Sequence, residues 1–191
     1  MTRVLPAGDH GALIECDDNA AALRLAAALR ARCGFVDVVP GHRTVLVTWA
    51  GERPPLDVDD AAFETQPGKL VEVPVRYDGP DLADVALLSG VDDLVALHTA
   101  AEYTVAFVGF VPGFAYLLGG DERLVVPRLD TPRERVPAGS VAVAGPYSAV
   151  YPRDSPGGWR LLGTTELVLF DAESDPPALL EPGDRVRFVA C

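Results

Sequence analysis

The stretch Ser140–Phe170, SVAVAGPYSAVYPRDSPGGWRLLGTTELVLF, decides the fold of the larger part of this chain. Short apolar runs, Ser140–Ala144, Trp159–Leu162 and Leu167–Phe170, alternate with turns built from glycine and proline. A helix would need a longer window of 3.6-residue patterning, and none is present. Many short strands with tight turns imply a β-barrel or sandwich and not a doubly wound sheet. Working outward, Tyr103–Val111 and Arg185–Val189 read as further strands of the same body. Two short helices precede them, about 82–89 and 92–101, separated by Ser89-Gly90, and Asp92 opens the second.

The first 77 residues read as a compact α+β unit. Gly11–Cys16 is a short apolar strand, and Asp17, Asp18 and Asn19 offer N-caps for an alanine- and leucine-rich helix running to about Arg32. Leu25 and Leu29 share one face of it, and Gly34 is placed to stop it. Phe35–Val39 and Thr44–Trp49 are strands joined at Pro40-Gly41, Asp57–Thr65 is a short helix, and Lys69–Tyr77 alternates as a strand. The order β-α-β-β-α-β predicts a ferredoxin-like unit. The turn Tyr77-Asp78-Gly79-Pro80-Asp81 then marks a boundary between residues 1–78 and 79–191. The expected class is therefore α+β: a small ferredoxin-like domain followed by a β-barrel domain.

The chain has 191 residues, of which 49% are hydrophobic, enough for a real core. No apolar run approaches the roughly 20 residues that span a bilayer, and the opening residues carry no signal pattern. Cys16, Cys33 and Cys191 stand far apart, which argues against a disulfide scaffold or zinc site and suits the cytoplasm. A net charge of −12 disfavours nucleic acid or an anionic membrane as partner. The charge is uneven, however. Residues 123–160 hold six arginines against three acids, a net of +3. Such a segment either pairs with the acidic surface elsewhere or receives a small anion.

Three stretches could carry chemistry. In Phe107–Tyr116, rings at 107, 110, 114 and 116 alternate with Gly109, Pro112 and Gly113. This is either a barrel corner filled by core aromatics or a ligand wall approached by glycine backbone, with Phe110, Pro112, Gly113 and Phe114 as its contacts. In Val126–Ser140, prolines 127, 132 and 137 stiffen a segment holding Arg128 and Arg133, whose guanidinium forks suit a carboxylate or phosphate. Ser140 lacks the GxSxG setting of a nucleophile and is read either as a structural serine or as a hydrogen-bonding group that contacts the substrate or anion. In Tyr151–Arg160, Ser155, Gly157 and Gly158 either form a tight turn or turn backbone N–H groups toward an anion, with Trp159 as a wall. His98 is the candidate general base, with Glu102 four residues on to orient its ring; a buried structural histidine is the competing reading. There is no P-loop: the one lysine, Lys69, is followed by Leu70.

Taken together, GF-x-PGF-x-YL at 109–117, VPR at 126–128, TPR at 131–133, VPAGSVAVAG at 136–145, YP-xx-SPGGW-x-LLG at 151–163 and PGDRVRF at 182–188 resemble one family. It is the KipI-like family, which takes in the B-type subunits of 5-oxoprolinase and allophanate hydrolase subunit 1. The resemblance implies that the barrel is cyclophilin-like. It also implies an enzyme component that works with a homologous barrel partner (the C-type subunit of 5-oxoprolinase, or allophanate hydrolase subunit 2) and with a LamB/YcsF-like, A-type subunit. Such a complex opens 5-oxo-L-proline to L-glutamate with ATP and Mg2+. Other members of the family imply two alternatives, inhibition of a sensor histidine kinase and allophanate or urea metabolism. Two places depart from the family pattern: Gly145-Pro146-Tyr147-Ser148 stands where relatives commonly have GGQT, and Leu162-Gly163-Thr164-Thr165 where many have LIGRT.

Overall fold

The computed structural model describes residues 3–56 and 68–191, in two compact units divided between Pro67 and Gly68. In the first unit, β1 (Val4–Pro6), β2 (Gly11–Glu15), β3 (Asp37–Pro40) and β4 (Thr44–Thr48) form one antiparallel sheet in the order β1-β2-β4-β3. Helix α1 (Asn19–Arg30) lies between β2 and β3 in sequence. Of the three candidate caps it uses Asp18, whose carboxylate accepts from the Ala21 N–H at 2.7 Å. Ala22, Leu25, Ala26 and Leu29 bury their side chains with Ile14, Val45 and Val47, the inward residues of β2 and β4. At its far end the Arg30 guanidinium donates to the Val38 carbonyl, tying helix to sheet.

Three strands and the helix of the expected ferredoxin-like unit are present, but its last strand is not. The edge position beside β2 is taken by β1. The expected strand at Lys69–Tyr77 becomes β5 (Leu70–Val75) and pairs in the second unit, so the division falls before this strand and not after Asp78. The cause is packing: Val73 and Val75 are fully buried among Val105, Val186 and Phe188. The expected helix Asp57–Thr65 lies outside the described residues.

The second unit continues with α2 (Leu82–Ser89), α3 (Leu94–Ala100), β6 (Tyr103–Val108), β7 (Ala115–Leu118), β8 (Arg133–Val136), β9 (Ser140–Ala144), β10 (Tyr147–Val150), β11 (Ser155–Gly157), β12 (Arg160–Thr164) and β13 (Arg185–Ala190). Seven strands make one sheet in the order β12-β9-β10-β7-β6-β13-β5, and β8 with β11 makes a two-stranded ribbon. All neighbours in the large sheet are antiparallel except β5 and β13, which run parallel. Arg76, just past β5, bridges Thr164 at the end of β12 through two backbone hydrogen bonds of 2.9 Å. The two ends of the sheet thus meet, and the sheet is nearly closed into a barrel. Leu167–Phe170 is not a strand; only Phe170 makes an isolated bridge, to Ala178. Gly90 ends α2 in the left-handed conformation, and Asp93, not Asp92, caps α3. Among the described residues no helix is long and apolar enough to cross a membrane.

Candidate functional site

The short strands bring aromatic side chains from four places in the sequence into one wall. Phe107 from β6 stacks on Tyr116 from β7, centroids 4.3 Å apart. Tyr116 meets Tyr147 from β10 edge-on at 5.4 Å and Trp159, just before β12, at 5.6 Å. Phe114 stands edge-on to Trp159 at 5.5 Å and to Tyr151 at 5.2 Å. Alternation along each strand explains the gathering, because residues two apart point to the same face. Phe114 and Trp159 are buried in it, whereas Phe107, Tyr116 and Tyr147 remain half-buried. Burial raises the Tyr116 hydroxyl pKa, and the nearby Arg128 charge offsets part of that rise. Gly113, at φ +80°, is needed because a Cβ there would lie 2.6 Å from the Phe170 Cβ.

The two candidate arginines part company. Arg133 donates to both carboxylate oxygens of Asp81, at 2.7 and 2.9 Å, and to the Trp159 carbonyl at 3.3 Å. Asp81 is buried and also accepts the Leu161 N–H at 2.7 Å. Arg133 is therefore the counter-ion of a buried carboxylate and holds the Trp159 carbonyl; its charge is neutralised there. Arg128 is exposed, with its guanidinium over the Trp159 ring at 5.9 Å and no ion pair among the described residues. Of the other arginines in the basic segment, Arg123 pairs with Asp121 and Arg135 with Asp154, while Arg160 donates to the Pro127 carbonyl. Much of the local positive charge thus goes into structure.

The expected pairing of His98 with Glu102 does not form. α3 ends at Ala100 and Ala101 is extended, so the helical i to i+4 relation is lost. Glu102 instead faces Arg185 and Arg187, at 3.3 and 3.2 Å. The His98 ring has no exposure; Nδ1 is 2.7 Å from the Tyr77 hydroxyl and Nε2 is 2.7 Å from Ser148 Oγ. It stacks on Phe188 at 4.3 Å, and burial pushes its pKa down to about 3. Both nitrogens are engaged and protonation is penalised, the arrangement of a buried structural histidine. Tyr147 and Ser148 also line a pocket of about 170 Å³ with Tyr103, Gly119, Leu124 and Val143.

Ser140 is buried and donates to the Pro137 carbonyl at 2.8 Å, which is a structural contact. Ser155–Gly157 are extended as β11 against β8 and not curled into an anion nest. Ser155 is buried, its hydroxyl donating to the Arg153 carbonyl, and Gly158 uses its carbonyl to accept from Leu129. Pro112 and Phe110 are exposed on the β6–β7 loop. Asp81 escapes a sequence reading because it looks like part of a turn; the one clue is that a stiffened arginine needs a carboxylate. Tyr77 and Ser148 carry no clue of their own. Among the described residues no three His, Cys, Asp or Glu side chains come together as a metal site.

The nearly closed barrel thus carries an aromatic wall with the exposed Arg128 beside it. The chain matches the family described as carboxyltransferase domain, subdomain C and D, over residues 2–180. It is 43% identical to the B-type subunit of 5-oxoprolinase from Escherichia coli O157:H7, over 87% of this chain and 83% of that one. It is 41% identical to the protein of the same name from Haemophilus influenzae, over 81% and 71%. The chain belongs to the KipI-like family of 5-oxoprolinase B-type subunits. Among solved structures it superposes on TTHA0988 with a TM-score of 0.84 at 39% identity, covering 95% of this chain but 40% of that one. PH0987 from Pyrococcus horikoshii matches at a TM-score of 0.62 and 35% identity, over 99% and 97%. The Kluyveromyces lactis urea amidolyase shares the fold, with a TM-score of 0.72 at 20% identity.

Proposed function

We propose that this chain is one component of a 5-oxoprolinase complex that opens 5-oxo-L-proline to L-glutamate with ATP, its site completed by a homologous barrel subunit. The relatives named as B-type subunits of 5-oxoprolinase support the reading at the level of the complex. The observation that carries it at the level of the site is Arg128, a guanidinium without an ion pair among the described residues, lying over Trp159 in an aromatic wall. A carboxylate bound by Arg128 would place a small ring against Trp159 and Tyr116, satisfying the charge and the apolar surface together. Arg133 has no part in this contact, being held by Asp81. His98, which is sealed from solvent, has none either. The nucleotide belongs to the rest of the assembly in this reading.

The test is glutamate release from 5-oxoproline in the presence of ATP. The chain alone is expected to give essentially none. Mixed with the homologous barrel subunit and the LamB/YcsF-like subunit, it is expected to turn over, and Arg128→Met should then raise KM at least tenfold. Robust turnover by the isolated chain would contradict the shared site. Absence of turnover in the reconstituted mixture, with a histidine kinase recovered on the tagged chain instead, would replace the enzyme reading by the inhibitor one.

A further inference from the structure

Phe110 is, among the described residues, the one non-glycine residue at positive φ, +70°. That conformation costs an L-residue steric strain through its Cβ, and a bulky aromatic gains nothing locally to offset it. Burial does not compensate either. The ring is 59% exposed, and its ring contact is Phe114, edge-on at 5.5 Å. The neighbouring Gly109 has open space around it, and Val108 and Pro112 are exposed apolar residues beside it. A strained backbone that holds a large apolar ring out into water lowers the stability of the free chain. Such features persist where a binding event offsets them.

We infer that Phe110 is the anchor by which the second barrel subunit grips this chain, its ring entering an apolar pocket on that subunit edged by carboxylates. The inference rests on the proposal of a site shared between two subunits. A small substrate is held in a concavity that covers most of its own surface. A projecting ring has the opposite shape and is the usual form of an interface anchor. The acidic edge follows from charge. Arg153 comes directly after Pro152, which packs where Gly113 passes, and its exposed guanidinium makes no ion pair among the described residues. The chain as a whole is at −12, so this locally cationic, apolar rim would attract an acidic partner surface that the rest of the molecule repels.

Phe110→Gly and Phe110→Asn decide the matter, because both residues accept a positive φ and neither keeps the ring. Each purified variant is titrated with the purified homologous barrel subunit, and its Tm is measured alone. The expected result is at least a tenfold loss of affinity for that subunit, with a Tm no lower than that of the unaltered chain and up to about 2–4 °C higher for glycine. Unchanged affinity would overturn the anchor while leaving the shared site standing. A fall in Tm of several degrees would also overturn it, making the ring a packing element. So would intact assembly with a raised KM for 5-oxoproline, which would make Phe110 a substrate contact. If the unaltered chain shows no binding to the second barrel subunit, the shared-site reading fails and the anchor fails with it.

Discussion

Sealing an imidazole away from water turns it from a proton carrier into a spacer between two hydroxyls. His98 links Tyr77 to Ser148 in this way, and the cost of charging it has a measurable consequence. Its pKa is lowered to about 3 in the folded chain and returns to about 6.5 on unfolding. The unfolded state therefore binds one more proton between those values. The contribution is fully present above about pH 6.5 and is lost as pH falls toward 3, with a slope of up to about 1.4 kcal/mol per pH unit. Chemical denaturation at pH 7, 6 and 5 should show this slope. His98→Gln should flatten it whatever its effect on stability at pH 7. Equal slopes in the two proteins would show that the ring is not held neutral. At this scale the sequence marks His98 as unusual but cannot separate a base from a buried link, since the deciding neighbours, Phe188 and Ser148, are far along the chain.

Between elements, the most consequential contact is the ion pair of Asp81 with Arg133, which joins the turn before α2 to β8 and to the start of β12. Removing one member strands the other charge. Asp81→Ala should cost about 3–5 kcal/mol by denaturant titration, within the range for a broken buried pair. It should also shift Trp159 emission to the red as the carbonyl held by Arg133 is released. Asp154→Ala, which removes the exposed pair with Arg135 and the acceptor of the Ala138 N–H, should shift the denaturation midpoint far less than Asp81→Ala does. A similar loss for both would mean that the Asp81 pair is no better shielded than the exposed one. Arg128 and Arg133 are alike in the sequence, each following a proline in a similar tripeptide. Only the placement of Asp81 tells them apart, and that depends on how the loop around Gly79 meets β12. The aromatic wall was more legible, because strand alternation and ring spacing are local properties.

For the molecule as a whole, the strand Leu70–Val75 is the test of where one unit ends and the next begins. Its alternation is visible in the sequence, but a half-buried strand does not announce which sheet it joins, and its partner β13 is at the other end of the second unit. A fragment of residues 68–191 should unfold cooperatively, whereas one of residues 79–191 should not, having lost the strand that covers β13. Circular dichroism during a urea titration distinguishes the two, and a cooperative transition in the shorter fragment would show that β5 is dispensable.

The parallel pairing of β5 with β13 has a mechanical side as well. Six residues of each strand are in register, from Leu70 beside Arg185 to Val75 beside Ala190. Because the strands run the same way, traction applied at residues 68 and 191 slides one strand along the other. The ladder is then loaded in shear, with its hydrogen bonds bearing the force together rather than one after another. Force spectroscopy through those two points should find a stiff clamp.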